Sequence, residues 1–267
     1  MFSKPYVFSV DQLQVHLHES QPSLAREVTE IAHSYLLEVL QNQKTARVIL
    51  ATGNSQMQFL QNLVDRGEID WSRITCFHMD EYLGIDADHR ASFRRYMKER
   101  VVTRVKPGAF HFIEGDCDEP LHECRRYADL LHEAPIDLCC LGVGENGHIA
   151  FNDPPVAHFT EKEWVKLVKL DDACKLQQVN EGHFGSLEEV NPYAFTLTIP
   201  ALCAARKMLC ICPETRKAAA VKAMLEGPVA TSCPASYLRT QKQATLFLDK
   251  DSAALTRFAH APTAAQK

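Results

Sequence analysis

With 267 residues, 46% of them hydrophobic, the chain is long enough to bury a sizeable core, and its length fits one large α/β domain or two small ones. No linker composition divides it, so a single domain over residues 1–267 is expected. Twenty-nine basic against 34 acidic residues leave a net charge of −5, which argues against a broad nucleic-acid-binding face and requires any anion site to be built locally. The amino terminus has no continuous apolar core of signal-peptide length and no run approaches a membrane span, so a soluble cytoplasmic protein with a small-molecule partner is expected, a homo-oligomer being left open.

From Val15 to Gln41 apolar residues recur at helical spacing, as in Leu24, Val28, Ile31, Tyr35 and Val39, which predicts one or two helices opening the chain. Arg47 to Ala51 then forms a short β-branched strand, followed at once by Thr52-Gly53-Asn54-Ser55 and the helical pattern Met57, Phe59, Leu60, Leu63, Val64. Such a turn aims free backbone N–H groups and the positive end of a helix dipole at one point, which suits a phosphate; the plainer alternative is a helix cap by Asn54 or Ser55.

A second strand, Ile74 to Met79, ends in Asp80-Glu81-Tyr82-Leu83-Gly84. Partial burial at that point raises a carboxylate toward useful general-base values, whereas the bland reading is a solvated acidic turn. The helix expected over Ser92 to Val105 carries Arg94, Arg95, Lys98, Arg100 and Arg104, taken together as mostly a solvated face. Phe110 to Ile113 predicts a short strand and Pro120 to Glu133 a helix.

The run Ile136 to Leu141 is interrupted only by Asp137 and predicts a buried strand. Directly after it comes Gly142-Val143-Gly144-Glu145-Asn146-Gly147-His148-Ile149-Ala150-Phe151-Asn152-Asp153-Pro154. Its glycines let the backbone turn sharply and approach a bound molecule, so His148 would stand at a strand's carboxyl end, the edge where open α/β sheets bind ligands.

Further on, Trp164 to Val168 alternates as a strand and Asp171 to Leu187 is polar and loop-like, with Lys175 inside it. Tyr193 to Ile199 and Lys207 to Cys212 supply two more strands. Pro213 opens a helix that runs through Leu225 to the stop at Gly227-Pro228, placing Thr215, Arg216 and Lys217 at its amino end, a second place suited to an anion. Thr245 to Asp249 is the last predicted strand, and a terminal helix is expected from Asp251 into an alanine-rich tail. The ten cysteines include no Cys-x-x-Cys pair, and Cys139-Cys140 and Cys210-x-Cys212 lie inside apolar strands, so reduced buried thiols are expected. Twelve histidines fall without metal-ligand spacing, and no metal site is predicted.

Three of these stretches, Ala51-Thr52-Gly53-Asn54-Ser55, Phe77-His78-Met79-Asp80-Glu81-Tyr82-Leu83-Gly84 and Gly144-Glu145-Asn146-Gly147-His148-Ile149-Ala150-Phe151-Asn152-Asp153-Pro154, resemble in their order the motifs of the glucosamine-6-phosphate deaminase family. The resemblance extends through Lys217-Ala218 and covers most of the chain between Val48 and Asp249. It implies a three-layer, modified Rossmann-like α/β fold with a mostly parallel sheet flanked by helices, shared with phosphogluconolactonases. It also implies a cofactor-independent hydrolase acting on a phosphorylated amino sugar, glucosamine 6-phosphate being converted to fructose 6-phosphate and ammonia.

By the same resemblance Asp80 would carry the C2 proton and His148 would open the sugar ring, oriented by Asp153 and Asn146. Thr52, Gly53, Asn54, Ser55, Glu81, Gly147, Lys175 and Lys217 would contact substrate. The chain departs from the family at Asn146, where many members have Asp, and at Asp153, where they have Glu. Asp153 is one methylene shorter, so backbone or a water has to make up its reach. The Ser-rich and Arg-rich segment with which allosteric members bind an acetylated amino-sugar phosphate is lacking after Pro155, so such activation is not expected. A phosphogluconolactonase-like hydrolase and a non-catalytic sugar-phosphate sensor are the rival readings.

Overall fold

The computed structural model describes residues 4–259, and the alanine-rich tail lies outside them. An eight-stranded sheet forms the middle layer. Its strands are β1 (Tyr6–Val10), β2 (Leu13–His18), β3 (Ala46–Leu50), β4 (Ile74–His78), β6 (Ala109–His111), β7 (Leu138–Leu141), β10 (Lys207–Cys212) and β11 (Ala244–Asp249), in the spatial order β1-β2-β11-β10-β7-β3-β4-β6. Only β1 and β2 pair antiparallel; every other neighbour pair is parallel.

Parallel strands are covered on both faces, and the alternation along each shows it. Ile49, Cys139 and Cys210 join one core, beneath helices α5 (Pro120–His132) and α8 (Ala218–Glu226). Leu50, Cys140 and Leu209 join the other, beneath α1 (Gln21–Asn42) and α2 (Asn54–Asp65). The strand cysteines pack as small hydrophobes, and burial pushes their thiols up, Cys76 to about 12. This is the three-layer α/β architecture that the family resemblance implies.

A second, antiparallel sheet of three strands stands at the carboxyl edge of the first, in the order β5 (Asp80–Tyr82), β9 (Tyr193–Leu197), β8 (Val165–Lys169). The chain passes from one sheet to the other at Met79, whose carbonyl accepts from the Leu197 N–H at 2.8 Å, and Asp80 is the first residue in the new sheet, paired with Thr196. A third apolar cluster around Tyr82, Phe93, Phe151 and Phe184 fills the angle behind it.

Three elements differ from expectation. The segment predicted to open in helix from Val15 is first a hairpin, β1–β2, and helix begins only at Gln21. Leu13, Val15 and Leu17 alternate into the core at period two, and the pairing of β2 with β11 fixes them there. The polar stretch read as loop folds as α6 (Asp172–Asn180). The basic helix is α3 (Phe93–Met97), a π turn over Lys98–Val102 and α4 (Thr103–Val105), and Arg94 leaves its solvated face: it is buried, donating to Asp116 Oδ1 at 2.7 Å and to the Ile85 carbonyl at 2.6 Å. A short helix, α7 (Ile199–Cys203), follows β9, and α9 (Lys250–Ala253) closes the described chain after β11. Among the described residues no helix is long and apolar enough to cross a membrane.

Candidate active site

A pocket opens over the carboxyl ends of β4, β3, β7 and β10, the four adjacent strands at the middle of the large sheet. Thr52, Gly53, Asn54 and Ser55 line it together with Lys217. Gly53 adopts φ +97°, a conformation that favours glycine, and turns the chain from β3 into α2. Gly142 lies against the same turn: a Cβ there would sit 3.2 Å from the Gln56 amide and 3.3 Å from Ser55 Oγ. Lys217 is buried, which lowers its ammonium below the usual lysine range, and among the described residues it forms no ion pair. A buried lysine with no ion pair among the described residues thus shares the pocket with the amino end of a 12-residue helix, an arrangement that favours an anion.

Asp80 and His148 line the same pocket. Asp80 is buried with Oδ1 unpartnered, and burial, reinforced by the neighbouring Glu81 charge, raises its carboxyl well above the usual range. His148 follows the glycine loop. Its ring lies across Gly144, where a Cβ would come within 2.2 Å of the imidazole, and Nδ1 stands 2.8 Å from Asp153 Oδ1, off the in-line hydrogen-bond direction. Nε2 is therefore the nitrogen left for a ligand.

Asn146 braces this pair. Its Nδ2 donates to Asp153 Oδ1 at 2.9 Å, and its Oδ1 accepts from the His148 N–H at 3.0 Å. The Asp171 N–H donates to Asp153 Oδ2 at 3.2 Å. Burial acts to raise the Asp153 carboxyl, but the His148 contact and these donors outweigh it and hold it below its usual value. The shorter acid reaches His148 directly, because the backbone comes to it: Ala150 turns at φ +50° and Ile149 bridges to Asn152, drawing Asp153 back under the imidazole. The turn is tied to β9, since the Phe151 N–H donates to Thr196 Oγ1 at 3.0 Å and Asn152 Nδ2 to the Leu197 carbonyl at 2.8 Å. Asp80, paired with the same Thr196, and the His148 loop are thus mounted on one small sheet.

Three residues expected to contact substrate are placed elsewhere. The Glu81 carboxylate is fully buried away from the pocket, accepting from the Tyr82, Phe93 and Arg94 N–H groups and from the Ser92 hydroxyl, so it caps α3. Lys175 pairs with Asp172 at 2.6 Å along α6 and does not line the pocket. Gly147 turns at φ +85°, packs on Cys233 and accepts from the Ala235 N–H at 2.8 Å, a role in shaping the loop.

The sequence reading missed the wall that α6 provides. Gln177, Gln178, Glu181 and His183 line the pocket, with Phe93 and Arg216 completing it. The signal was available: Cys174, Gln177, Gln178 and Glu181 recur at helical spacing and share a face. Cys174 is buried beside them, its Sγ within 4.8 Å of a ring nitrogen of His148 and a carboxylate oxygen of Asp153.

The chain resembles known proteins over most of its length. Residues 19–247 match the family model described as glucosamine-6-phosphate isomerases/6-phosphogluconolactonase. The chain is 31% identical over 232 residues to a glucosamine-6-phosphate deaminase of Exiguobacterium sibiricum, covering 86% of this chain and 90% of that one. It is 33% identical over 208 residues to a deaminase of the same name from Listeria monocytogenes, covering 77% and 86%. Among solved structures, a monomeric glucosamine-6-phosphate deaminase superposes with a TM-score of 0.82 at 28% identity, covering 90% of this chain and 99% of the other. A 6-phosphogluconolactonase from Thermotoga maritima superposes at 0.72 with 20% identity over 88% and 98%, a likeness of fold alone. Matched over most of its length by the family model, and by relatives above 30% identity, the chain belongs to the glucosamine-6-phosphate isomerase/6-phosphogluconolactonase family.

Proposed function

We infer that the chain converts glucosamine 6-phosphate to fructose 6-phosphate and ammonia. The observation that carries this reading is one pocket lined both by a buried ammonium without an ion pair among the described residues, Lys217, and by a buried carboxylate with an unpartnered oxygen, Asp80. A ligand with an anion at one end and an acidic C–H at the other satisfies both. The deaminase names of the relatives supply that ligand.

On this reading the phosphate lies on the Thr52 to Ser55 turn and Lys217. His148 Nε2 moves the proton between the anomeric hydroxyl and the ring oxygen, opening the pyranose to the aldehyde. Asp80 then takes the C2 proton while a proton passes from the C2 ammonium to O1, giving the enolamine, and returns its proton to C1, leaving a protonated imine at C2. Water adds to that carbon and the nitrogen leaves as ammonia, so the net reaction consumes one water. Every step is a proton transfer or the hydration of an imine, within the reach of positioned acid and base groups. Asp153 and Asn146 hold the imidazole and touch no substrate atom.

Asp80→Asn keeps the shape and removes the base, so ammonia release should fall by at least ~10²-fold. Exchange of the C2 hydrogen with deuterated water should vanish alongside it. Native-rate exchange in the Asn variant would take the base role from Asp80. Native protein that hydrolyses 6-phosphogluconolactone and releases no ammonia would give the activity to the lactonase reading; phosphate-sugar binding without either turnover would make it a sensor.

A further inference from the structure

Lys217 and Arg216 are adjacent and line the same pocket, yet their electrostatic circumstances are opposite. Lys217 has no ion-pair partner among the described residues, whereas Arg216 has three. Its Nε stands 2.6 Å from Glu214 Oε2, and its Nη1 contacts both Glu145 Oε1, at 3.3 Å, and Glu181 Oε1. The three acids come from three different segments: the glycine loop, the end of α6 and the turn after β10. Three carboxylates thus converge on one guanidinium, and two of them occupy the Nη1 edge that a phosphate would otherwise take.

We propose that Arg216 is a second ligand of the substrate's phosphate, held in reserve by Glu145 and Glu181, and that phosphate binds by displacing those carboxylates from it. The proposal rests on the phosphate reading of the pocket given above. Carboxylate and phosphate present the same acceptor edge to a guanidinium, so one can replace the other without new geometry.

Neither acid is stranded by the exchange. Glu181 keeps the Gln177 Nε2 hydrogen bond at 2.7 Å and the His183 contact at 3.4 Å, and the Glu145 side chain is one-third exposed and passes to water. Glu214, two residues before Arg216, holds Nε and leaves Nη1 and Nη2 to swing about that contact. Its own backbone sits at φ +82°, a costly conformation for glutamate that the Asp249 carboxylate secures by accepting from the Glu214 N–H at 3.2 Å. The affinity for phosphate is thereby set below what two cations alone would give, and Glu181 becomes the residue that tunes it.

Calorimetric titration of inorganic phosphate into the full chain tests this. Glu181→Gln removes the main competitor and should tighten phosphate binding about threefold to tenfold, while Arg216→Ala should weaken it by a similar factor. The decisive variant combines both. In the Arg216→Ala background Glu181→Gln should have no effect, because the competition is for that guanidinium.

Tightening that persists without Arg216 would mean that Glu181 merely repels the anion through space, and would overturn the proposal; so would unchanged or weaker binding in folded Glu181→Gln. Glu145→Gln, at the more exposed partner, should act in the same direction and serves if the first variant does not fold. Lys217→Ala is the control for the underlying reading: unchanged phosphate affinity there would remove phosphate from the pocket altogether. In turnover, Arg216→Ala should raise KM for the phosphorylated sugar with little change in kcat, a split that loss of the catalytic groups would not produce.

Discussion

Gly144→Ala tests the placement of the imidazole. Gly144 has no left-handed backbone requirement, so alanine is acceptable to the main chain; the obstacle is the His148 ring, whose Cε1, Nε2 and Cδ2 would lie 2.2, 2.2 and 2.4 Å from the new methyl. Ordinary contact begins near 3.4 Å, so the ring has to retreat by about 1 Å or the loop has to open. Retreat is resisted at Nδ1 by Asp153 and at the backbone by Asn146 and by the Gly144 N–H, which donates to the His148 carbonyl at 2.9 Å. Misplacing a reacting group by about 1 Å costs roughly 10²-fold in rate, so kcat for ammonia release should fall by that order. Phosphate affinity should hold, because the atoms that a Gly144 methyl would meet first all belong to the His148 ring and none to the Thr52 to Ser55 turn or Lys217. Steady-state kinetics, phosphate titration and thermal melting on one preparation separate these effects. Native kcat in a folded Gly144→Ala protein would refute the argument that the ring's position against this glycine matters for the chemistry.

Asp153→Asn keeps the Asn146 and Asp171 neighbours but removes the negative charge beside the imidazole, so kcat should drop by about 10²-fold while KM stays near native; Asp153→Glu should retain most of the rate and lose stability, about 1–3 kcal/mol, because the extra methylene enters a fully buried space, and a melt beside the kinetics checks both. Glu181 predicts an acid limit. Burial would raise its carboxyl, but His183 and Arg216 outweigh that and hold it at about 2 against 4.5 unfolded, so its stabilisation, on the order of 3 kcal/mol, is complete above about pH 4.5 and is lost as pH falls toward 2. Melting temperatures of native and Glu181→Gln proteins should therefore converge between pH 5 and about 3; a constant gap would contradict the assignment.

How much could be read in advance varied with the kind of signal. The central strands were legible because a parallel strand buried on both faces writes itself as an apolar run, as Leu138 to Leu141 does. The Thr52 to Ser55 turn and the His148 loop were legible because glycines and polar residues follow those runs at once. The hairpin β1–β2 was not, since Leu13, Val15 and Leu17 stand directly before the strong helical pattern of α1, and pairing with β11, more than 200 residues away, decides them. Helix α6 was missed because its inward face is polar: Gln177, Gln178 and Glu181 point at a pocket where a core helix would carry leucine. Lys175 was assigned to the substrate by the family resemblance, and the pitch of α6 turned it to Asp172.

Asp80 and Glu81 are chemically twins in the sequence, yet the first strand residue of the small sheet and the second face opposite ways. One backbone step sorts them: the first keeps an oxygen without a partner, and the second spends both oxygens on the start of α3. Loss of either acid would silence the protein, but for unrelated causes. Glu81→Gln leaves amide hydrogens against N–H groups that need an acceptor and weakens the segment around Ser92 and Phe93, whereas Asp80→Asn leaves the architecture standing and the chemistry gone. A screen that scores activity alone would record the pair as equivalent, and only the yield of folded chain would tell the scaffold from the reagent.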